Sequence, residues 1–282
     1  MNLLPEFNRK IVQTNVGGGH RYKVEGFDCR ACANCRKGKP CIGLPSVTGV
    51  SGKYSDGNMY GAGIRAGLDA VFGKYTNSTK TALTDTGWMR DLVHDARFGK
   101  NPLKDEDFLI YRQEVEEMPT AGDIARDFGT GLHAAIEDWL KATMAGEEPF
   151  VQPQYVMPAR RVVEWLDSHE CEVLDVEVNL YHPTMLYGGQ VDCIAKRGSE
   201  ILILDWKSGR GIYNNHAAQL GAYAMAYEAI TGEQVAEAWV IQTRANGEFQ
   251  AKKVQDLYTA KALFVNLHSA KENWDNIIWE EN

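Results

Sequence analysis

Residues Ile201–Tyr227 read ILILDWKSGRGIYNNHAAQLGAYAMAY. Four apolar residues run straight into Asp205-Trp206-Lys207, and a helical pattern follows with Gln219 and Tyr223 one turn apart. Strand side chains alternate faces with period two, so Asp205 and Lys207 point one way and Trp206 the other. The unbroken apolar run before them suits a strand at the centre of a sheet covered on both faces. An acid and an amine at the rim of such a strand are either a surface ion pair or half of a metal site. The neighbouring segments have to decide.

Upstream, EVLDVEVNLYHP (172–183) and LYGGQVDCIAKRG (186–198) alternate with period two around a proline-containing turn, which predicts a hairpin. Downstream, residues 214–231 are expected to be helical, VAEAWVIQTRANGEFQAKKV (235–254) reads as a strand pair around Asn-Gly, and 255–275 closes as a helix. Before the hairpin, residues 120–146 carry Leu132, Ile136, Trp139 and Leu140 at helical spacing and stop at a glycine. PARRVVEWLDSH (158–169) reads as a further helix. Residues 1–27 suggest short strands around VGGGH, and LPSVTGVSG (44–52) reads as an extended stretch closed by glycines. Residues 58–74 are loosely helical, and 84–97 form the most readable helix in an otherwise opaque 75–120. The order helix, hairpin, strand, helix, strand implies an α/β chain: a mixed sheet with helices on its faces. Two parts are expected, an N-terminal β segment at 1–43 and one larger domain at 44–282.

The chain has 282 residues, 44% of them hydrophobic, and a net charge of −8. No apolar run approaches the roughly 20 residues of a membrane span. The first residues lack the basic-then-apolar layout of a secretory signal, so the cytoplasm is the expected compartment. Overall acidity disfavours a protein that coats nucleic acid. Residues 1–60, however, hold nine Lys/Arg against four acids, enough for a local phosphate-binding face.

Four of six cysteines crowd into CRACANCRKGKPC as Cys29, Cys32, Cys35 and Cys41. Such clustering in a cytoplasmic chain points to a metal rather than to disulfides. Four thiolates this close make a closed, structural site for Zn²⁺, with a [4Fe–4S] cluster as the alternative. Arg36, Lys37 and Lys39 in the same loop offer a basic surface for a nucleic-acid backbone. Cys171 and Cys193 read as buried small side chains.

The remaining polar residues fall into an ordered set. His133 and Glu137 share a helix face at i, i+4. Asp192 ends GGQVD, where Gly188 and Gly189 permit close approach of backbone or ligand. Carboxylates with one imidazole suit a hard divalent cation, and a lysine beside them can orient an attacking water. In order, GTGLH (Gly129, His133), GQVD (Gly189, Asp192), DWK (Asp205, Lys207) and QLGAY (Gln219, Tyr223) resemble the motifs of the RecB-type branch of the PD-(D/E)XK nuclease superfamily. That branch includes CRISPR-adaptation and mitochondrial genome-maintenance exonucleases and many phage nucleases. LPSVTGV also resembles a segment that opens phage members, and the likeness covers roughly residues 44–250.

The resemblance implies a restriction-endonuclease-like core. It implies Asp192 and Asp205 as ligands of Mg²⁺ or Mn²⁺, helped by the Trp206 carbonyl and His133, and Lys207 at the attacking water. Gln219 and Tyr223 would position the DNA strand or brace the site. Glu177, on the strand before Asp192, is either a further catalytic acid or a solvated strand residue. The cysteines depart from the family, whose iron–sulfur members split their ligands around the core. The C-x2-C-x2-C-x5-C spacing is similar instead to the structural zinc lobe of medium-chain alcohol dehydrogenases.

The expectation is a metal-dependent DNA nuclease, more an exonuclease than an endonuclease, acting on linear ends or single strands in replication, recombination or phage DNA processing. If it is phage-encoded, its compartment is the host cytoplasm. No G-x-x-x-x-G-K-[ST] is present, so any helicase activity would belong to a partner. The rival is a catalytically silent DNA-binding module on the same fold, which the complete Asp192, Asp205 and Lys207 set disfavours. A zinc dehydrogenase is excluded because no G-x-G-x-x-G follows a strand.

Overall fold

The computed structural model describes residues 9–16, 19–26, 43–51, 121–209 and 211–275, together with Leu4, Cys35 and Cys41. The helices read at 58–74 and 84–97 lie outside the described residues, as do Cys29, Cys32, Arg36, Lys37 and Lys39. By internal contacts the chain divides into two units, residues 1–55 with 129–282, and residues 56–128. Of the second unit only the first residues of a helix, 121–128, are described.

Among the described residues of the first unit, β1 (Ile11–Val16), β2 (Gly19–Val24) and β3 (Leu44–Pro45) form a small antiparallel sheet, and α1 (Val47–Ser51) follows. Then come α2 (Ala121–Ala145), which begins in the second unit, and α3 (Pro153–Ser168). The main sheet is β4 (Glu172–His182), β5 (Tyr187–Arg197), β6 (Glu200–Lys207), β7 (Val235–Thr243) and β8 (Phe249–Lys253), in that spatial order. Helix α4 (Asn214–Thr231) joins β6 to β7, and α5 (Leu257–Asp275) closes the described chain. Only β6 and β7 run parallel, because the α4 crossover returns the chain to the same end of the sheet. The result is the mixed, helix-flanked α/β sheet the sequence implies.

Strand β6 is central. Leu202, Ile203 and Leu204 are fully buried, each stabilising the fold by about 1.5–3 kcal/mol. Ile201 and Ile203 join the core packed with α4 and α5. On the opposite face Trp239, paired in register with Leu204, meets Trp165 of α3 edge-on at 5.1 Å. Covered on both sides, β6 has no polar face, which explains its unbroken apolar run. Helix α4 ends where Gly232, with φ of 76°, donates its N–H to the Glu228 carbonyl.

Local chemistry corrects three expectations. The stretch at 44–52 is not extended throughout: Ser46 Oγ accepts the Gly49 N–H at 3.0 Å and starts α1, as a serine N-cap does. Helix α3 begins at Pro153 rather than Pro158, since a proline in the first turn loses no helical bond. The close approach at the glycines of GGQVD is made by side chains rather than by backbone. A methyl group at Gly188 would lie 2.6 Å from Tyr22 Cβ, and one at Gly189 would lie 2.5 Å from Tyr223 Cε1.

Those contacts reflect a fork in the sheet. The β5–β6 ladder ends at Cys193↔Leu204. Beyond it the edge of β5 bridges to Ser46 at Gly188, so the small N-terminal sheet takes the place β6 has left. The motif acids lie at the fork.

Candidate active site

Asp192 is the first β5 residue beyond the last β5–β6 pair, and Asp205 and Lys207 end β6. Where the ladder stops, the Trp206 N–H donates instead to Asp192 Oδ2 at 2.6 Å. A strand residue's N–H and C=O point to the same side, so the Trp206 carbonyl also faces Asp192. Helix α2 brings His133 Nδ1 to 3.5 Å from Asp192 Oδ1 and 4.0 Å from Glu177 Oε1. One donor atom from each of His133, Glu177 and Asp192 lies within 4.8 Å of the others, and no other such group occurs among the described residues.

Gly129 has a physical role here. A methyl group on it would sit 2.7 Å from the hydroxyl of Ser208, the residue after Lys207, so glycine lets α2 reach the end of β6. Glu137, one turn beyond His133, pairs with Lys141 at 2.5 Å and takes no part in the cluster.

The second half of the site is Asp205 with its supports. Lys207 Nζ lies 2.5 Å from Asp205 Oδ2. Gln219 Nε2 donates to Asp205 Oδ1 at 3.1 Å and to the Tyr223 hydroxyl at 2.9 Å. Gln219 and Tyr223 are buried, their polar groups engaged beneath Asp205. The Asp205 side chain is 1% exposed and that of Lys207 22%, so the amine has the open side.

Electrostatics follow from this crowding. Burial, reinforced by the charge of Asp192, pushes Glu177 up to about 7 against the opposing pull of His133. Burial disfavours the His133 imidazolium, but the charge and hydrogen bond of Asp192 outweigh it and raise His133 to about 9. Burial also acts against the Asp192 carboxylate, and His133 nonetheless holds it below the usual range. Asp205 stays above its usual range through burial, although Lys207 opposes this. Burial and then Lys207 lower His216 to about 4, leaving a neutral ring whose Nδ1 accepts the Tyr213 N–H. Three carboxylates converge on one place with an imidazole and an amine, an oxygen-rich donor set with one nitrogen.

Sequence reasoning passed over Gln190, whose Nε2 donates to the Glu177 carbonyl at 3.2 Å. A long amide side chain between Gly189 and Val191, two residues before Asp192, was the available signal. Cys193 is fully buried as expected, whereas Cys171 is only half-buried. No helix among the described residues is long and apolar enough to cross a membrane.

No curated protein matches the chain. Among solved structures it is similar to an alkaline exonuclease (LHK-Exo) from Laribacter hongkongensis, at 12% identity over 49% of this chain and 80% of that one, with a TM-score of 0.27. The same enzyme in complex with dAMP gives 11% identity over the same shares and a TM-score of 0.26. The protein SSO0001 gives 14% identity over 42% of this chain and a TM-score of 0.27, the match spanning 56% of its length. The family model described as the PD-(D/E)XK nuclease superfamily matches residues 108–280. That match takes in the five-stranded sheet, its flanking helices and the forked site between β5 and β6, and the chain belongs to the PD-(D/E)XK nuclease superfamily.

Proposed function

We propose that the protein is a divalent-metal-dependent DNA nuclease of RecB type, an exonuclease acting on linear ends or single strands in replication, recombination or phage DNA processing. The observation that carries this reading is the approach of His133, Glu177 and Asp192 to within 4.8 Å beside the Asp205–Lys207 pair. The donor set fits Mg²⁺ or Mn²⁺. Asp192, Asp205, Glu177, His133 and the Trp206 carbonyl would hold the ion. Bound there, it supplies Lewis-acid stabilisation of phosphoryl charge and a more acidic water. Lys207 orients the attacking water and neutralises developing charge, while Gln219 and Tyr223 hold Asp205 in place. Their burial favours that bracing role over direct contact with DNA. The test is end-labelled linear, nicked and closed circular DNA with Mn²⁺. An exonuclease shortens the first and spares the last; DNA binding without cleavage would establish the silent module instead.

Protons compete with the cation. Glu177 at about 7 and His133 at about 9 must both deprotonate, and each unit of pH below a ligand's pKa costs about tenfold in affinity. Mn²⁺ affinity should therefore climb from pH 6 to 9 with net proton release, measurable by calorimetry in buffers of different ionisation enthalpy. The metal-free fold should behave oppositely. Both groups have folded pKa values raised above their unfolded ones, so their stabilisation is whole at low pH. It is lost as pH rises from about 4.5 through 7 for Glu177 and from about 6.5 through 9 for His133. His182 and His216, lowered to about 4, act the other way below pH 6.5, so the reading is the difference in metal-free melting temperature between wild type and Glu177→Gln: it should fall as pH rises over this window, and a rise would contradict the assignment.

Within the N-terminal segment 1–43, whose strands β1 and β2 belong to the first unit, Cys29, Cys32, Cys35 and Cys41 would hold Zn²⁺ and Arg36, Lys37 and Lys39 would meet the DNA backbone. The loop has few apolar side chains, so metal binding must supply its ordering free energy. The Gly43 N–H donates to Cys41 Sγ at 3.3 Å, a bond that a metal-bound thiolate accepts. The purified protein should be colourless and carry one zinc per chain that survives EDTA. Iron with a brown absorbance near about 400 nm would establish the cluster alternative instead.

A further inference from the structure

Three described non-glycine residues have positive φ: Glu170, Glu177 and Leu186. Glu170 and Leu186 occupy turns, but Glu177, at 52°, lies inside strand β4. The left-handed region is unfavourable for a residue with a Cβ, and such conformations persist only where the surroundings enforce them.

The kink changes where side chains point. Val176 pairs with Cys193 and Val178 with Val191. Residues two apart on a strand should share a face. Yet Val178 and Val191 belong to the core packed with α4, whereas Val176 and Cys193, also buried, do not. The facing of the side chains thus slips at the Glu177–Asp192 step while the pairing register there is unbroken; the register shift of this ladder lies upstream, between Val173 and Asp175. That slip brings the Glu177 carboxylate to 4.0 Å from His133.

Gln190 holds the kink. Its amide donates to the carbonyl of Glu177 across the hairpin at 3.2 Å. Asn179, directly opposite Gln190 in the ladder, meanwhile keeps a buried Oδ1 with no hydrogen-bond partner. The amide thus serves the kinked backbone while an acceptor across the ladder goes without. The Gln190 backbone N–H also donates to the hydroxyl of Tyr22, whose side chain is wedged against Gly188.

We propose that Gln190 is a positioning residue: by holding Glu177 in its left-handed kink it turns the carboxylate onto His133 and Asp192, and so sets the cluster's affinity for a divalent cation. This rests on the metal role proposed for the cluster. Gln190 acts through Glu177 and touches no substrate.

The experiment titrates Mn²⁺ alone into the full chain, by calorimetry, for wild type, Gln190→Met, Glu177→Ala and the double variant, with melting of each metal-free protein. Methionine keeps the length of glutamine without its donor. Gln190→Met should weaken Mn²⁺ binding about tenfold, the lower end for second-sphere partners, and Glu177→Ala, which removes a ligand, at least as much. The double variant should bind no more weakly than Glu177→Ala, because the two residues act through one carboxylate. Metal-free Gln190→Met should melt at or above wild type, since releasing the kink relieves strain. Wild-type Mn²⁺ affinity in Gln190→Met, or additive losses in the double variant, would overturn the proposal. No Mn²⁺ binding by wild type, or wild-type affinity in Glu177→Ala, would overturn the metal reading and the proposal with it.

Discussion

Lys207→Ala should cut single-turnover DNA cleavage by about 10²–10³-fold, the usual cost of losing one preorganised electrostatic group. DNA binding should change little. The lysine is the more exposed partner of a pair whose acid is 1% exposed, so its amine is the one able to reach a water or phosphate. Removing it also leaves Asp205 buried without its cation, a change that costs about 3–5 kcal/mol where a buried pair is broken. Folding must therefore be checked beside activity. Asp205→Asn supplies the control: it keeps an oxygen for Gln219 at Oδ1 and removes the charge. It should fold, bind DNA and lose cleavage to a similar degree. Cleavage and fluorescence-anisotropy binding, measured on both variants at saturating Mn²⁺, decide the matter. Near wild-type cleavage by both would sink the nuclease assignment.

The second large effect belongs to Asp192, which joins two elements at the fork. One of its oxygens accepts the Trp206 N–H at 2.6 Å and the other faces His133 at 3.5 Å. Asp192→Ala should abolish detectable Mn²⁺ binding. It also strands a buried backbone N–H, for about 1–3 kcal/mol of stability. Asp192→Asn should lose the metal but keep most of that stability, because the amide oxygen still accepts from Trp206. The Asp192 pKa is lowered on folding, so its contribution is present above the unfolded pKa and fades as pH falls through the folded one. The stability gap between wild type and the alanine variant should accordingly narrow in acid. Chemical denaturation at neutral and low pH reads this directly, and an asparagine variant that binds Mn²⁺ normally would remove Asp192 from the metal site.

Much of this was legible before any coordinates. The apolar run of β6 ending in Asp205-Trp206-Lys207 required a covered central strand with both charges on one face, because period-two alternation is a property of the backbone itself. The bounds of α4, the hairpin of β4 and β5, and the helical face of Leu132, Ile136 and Leu140 follow from equally local rules. The ordered motifs named the superfamily, and the residue types named the chemistry. The sequence alone therefore determined the sheet-and-helix order and the identity of the charged residues.

What the sequence left open depends on contacts between distant segments. That β5 leaves β6 after Cys193 and takes Ser46 as its next partner is a competition between strand edges, which no local pattern records. Glu177 could equally have been a solvated strand residue, since alternation alone cannot register a slip. Its left-handed backbone, held by Gln190 thirteen residues later, is what brings it to His133. The hydrogen bonds that Gln219 makes to Asp205 and to Tyr223 also come from packing that the sequence pattern does not record. Glycines 129, 188 and 189 likewise gained meaning only from the side chains pressed against them. Each of these is a matter of which surfaces meet, and chain segments far apart in sequence meet only once the core has closed.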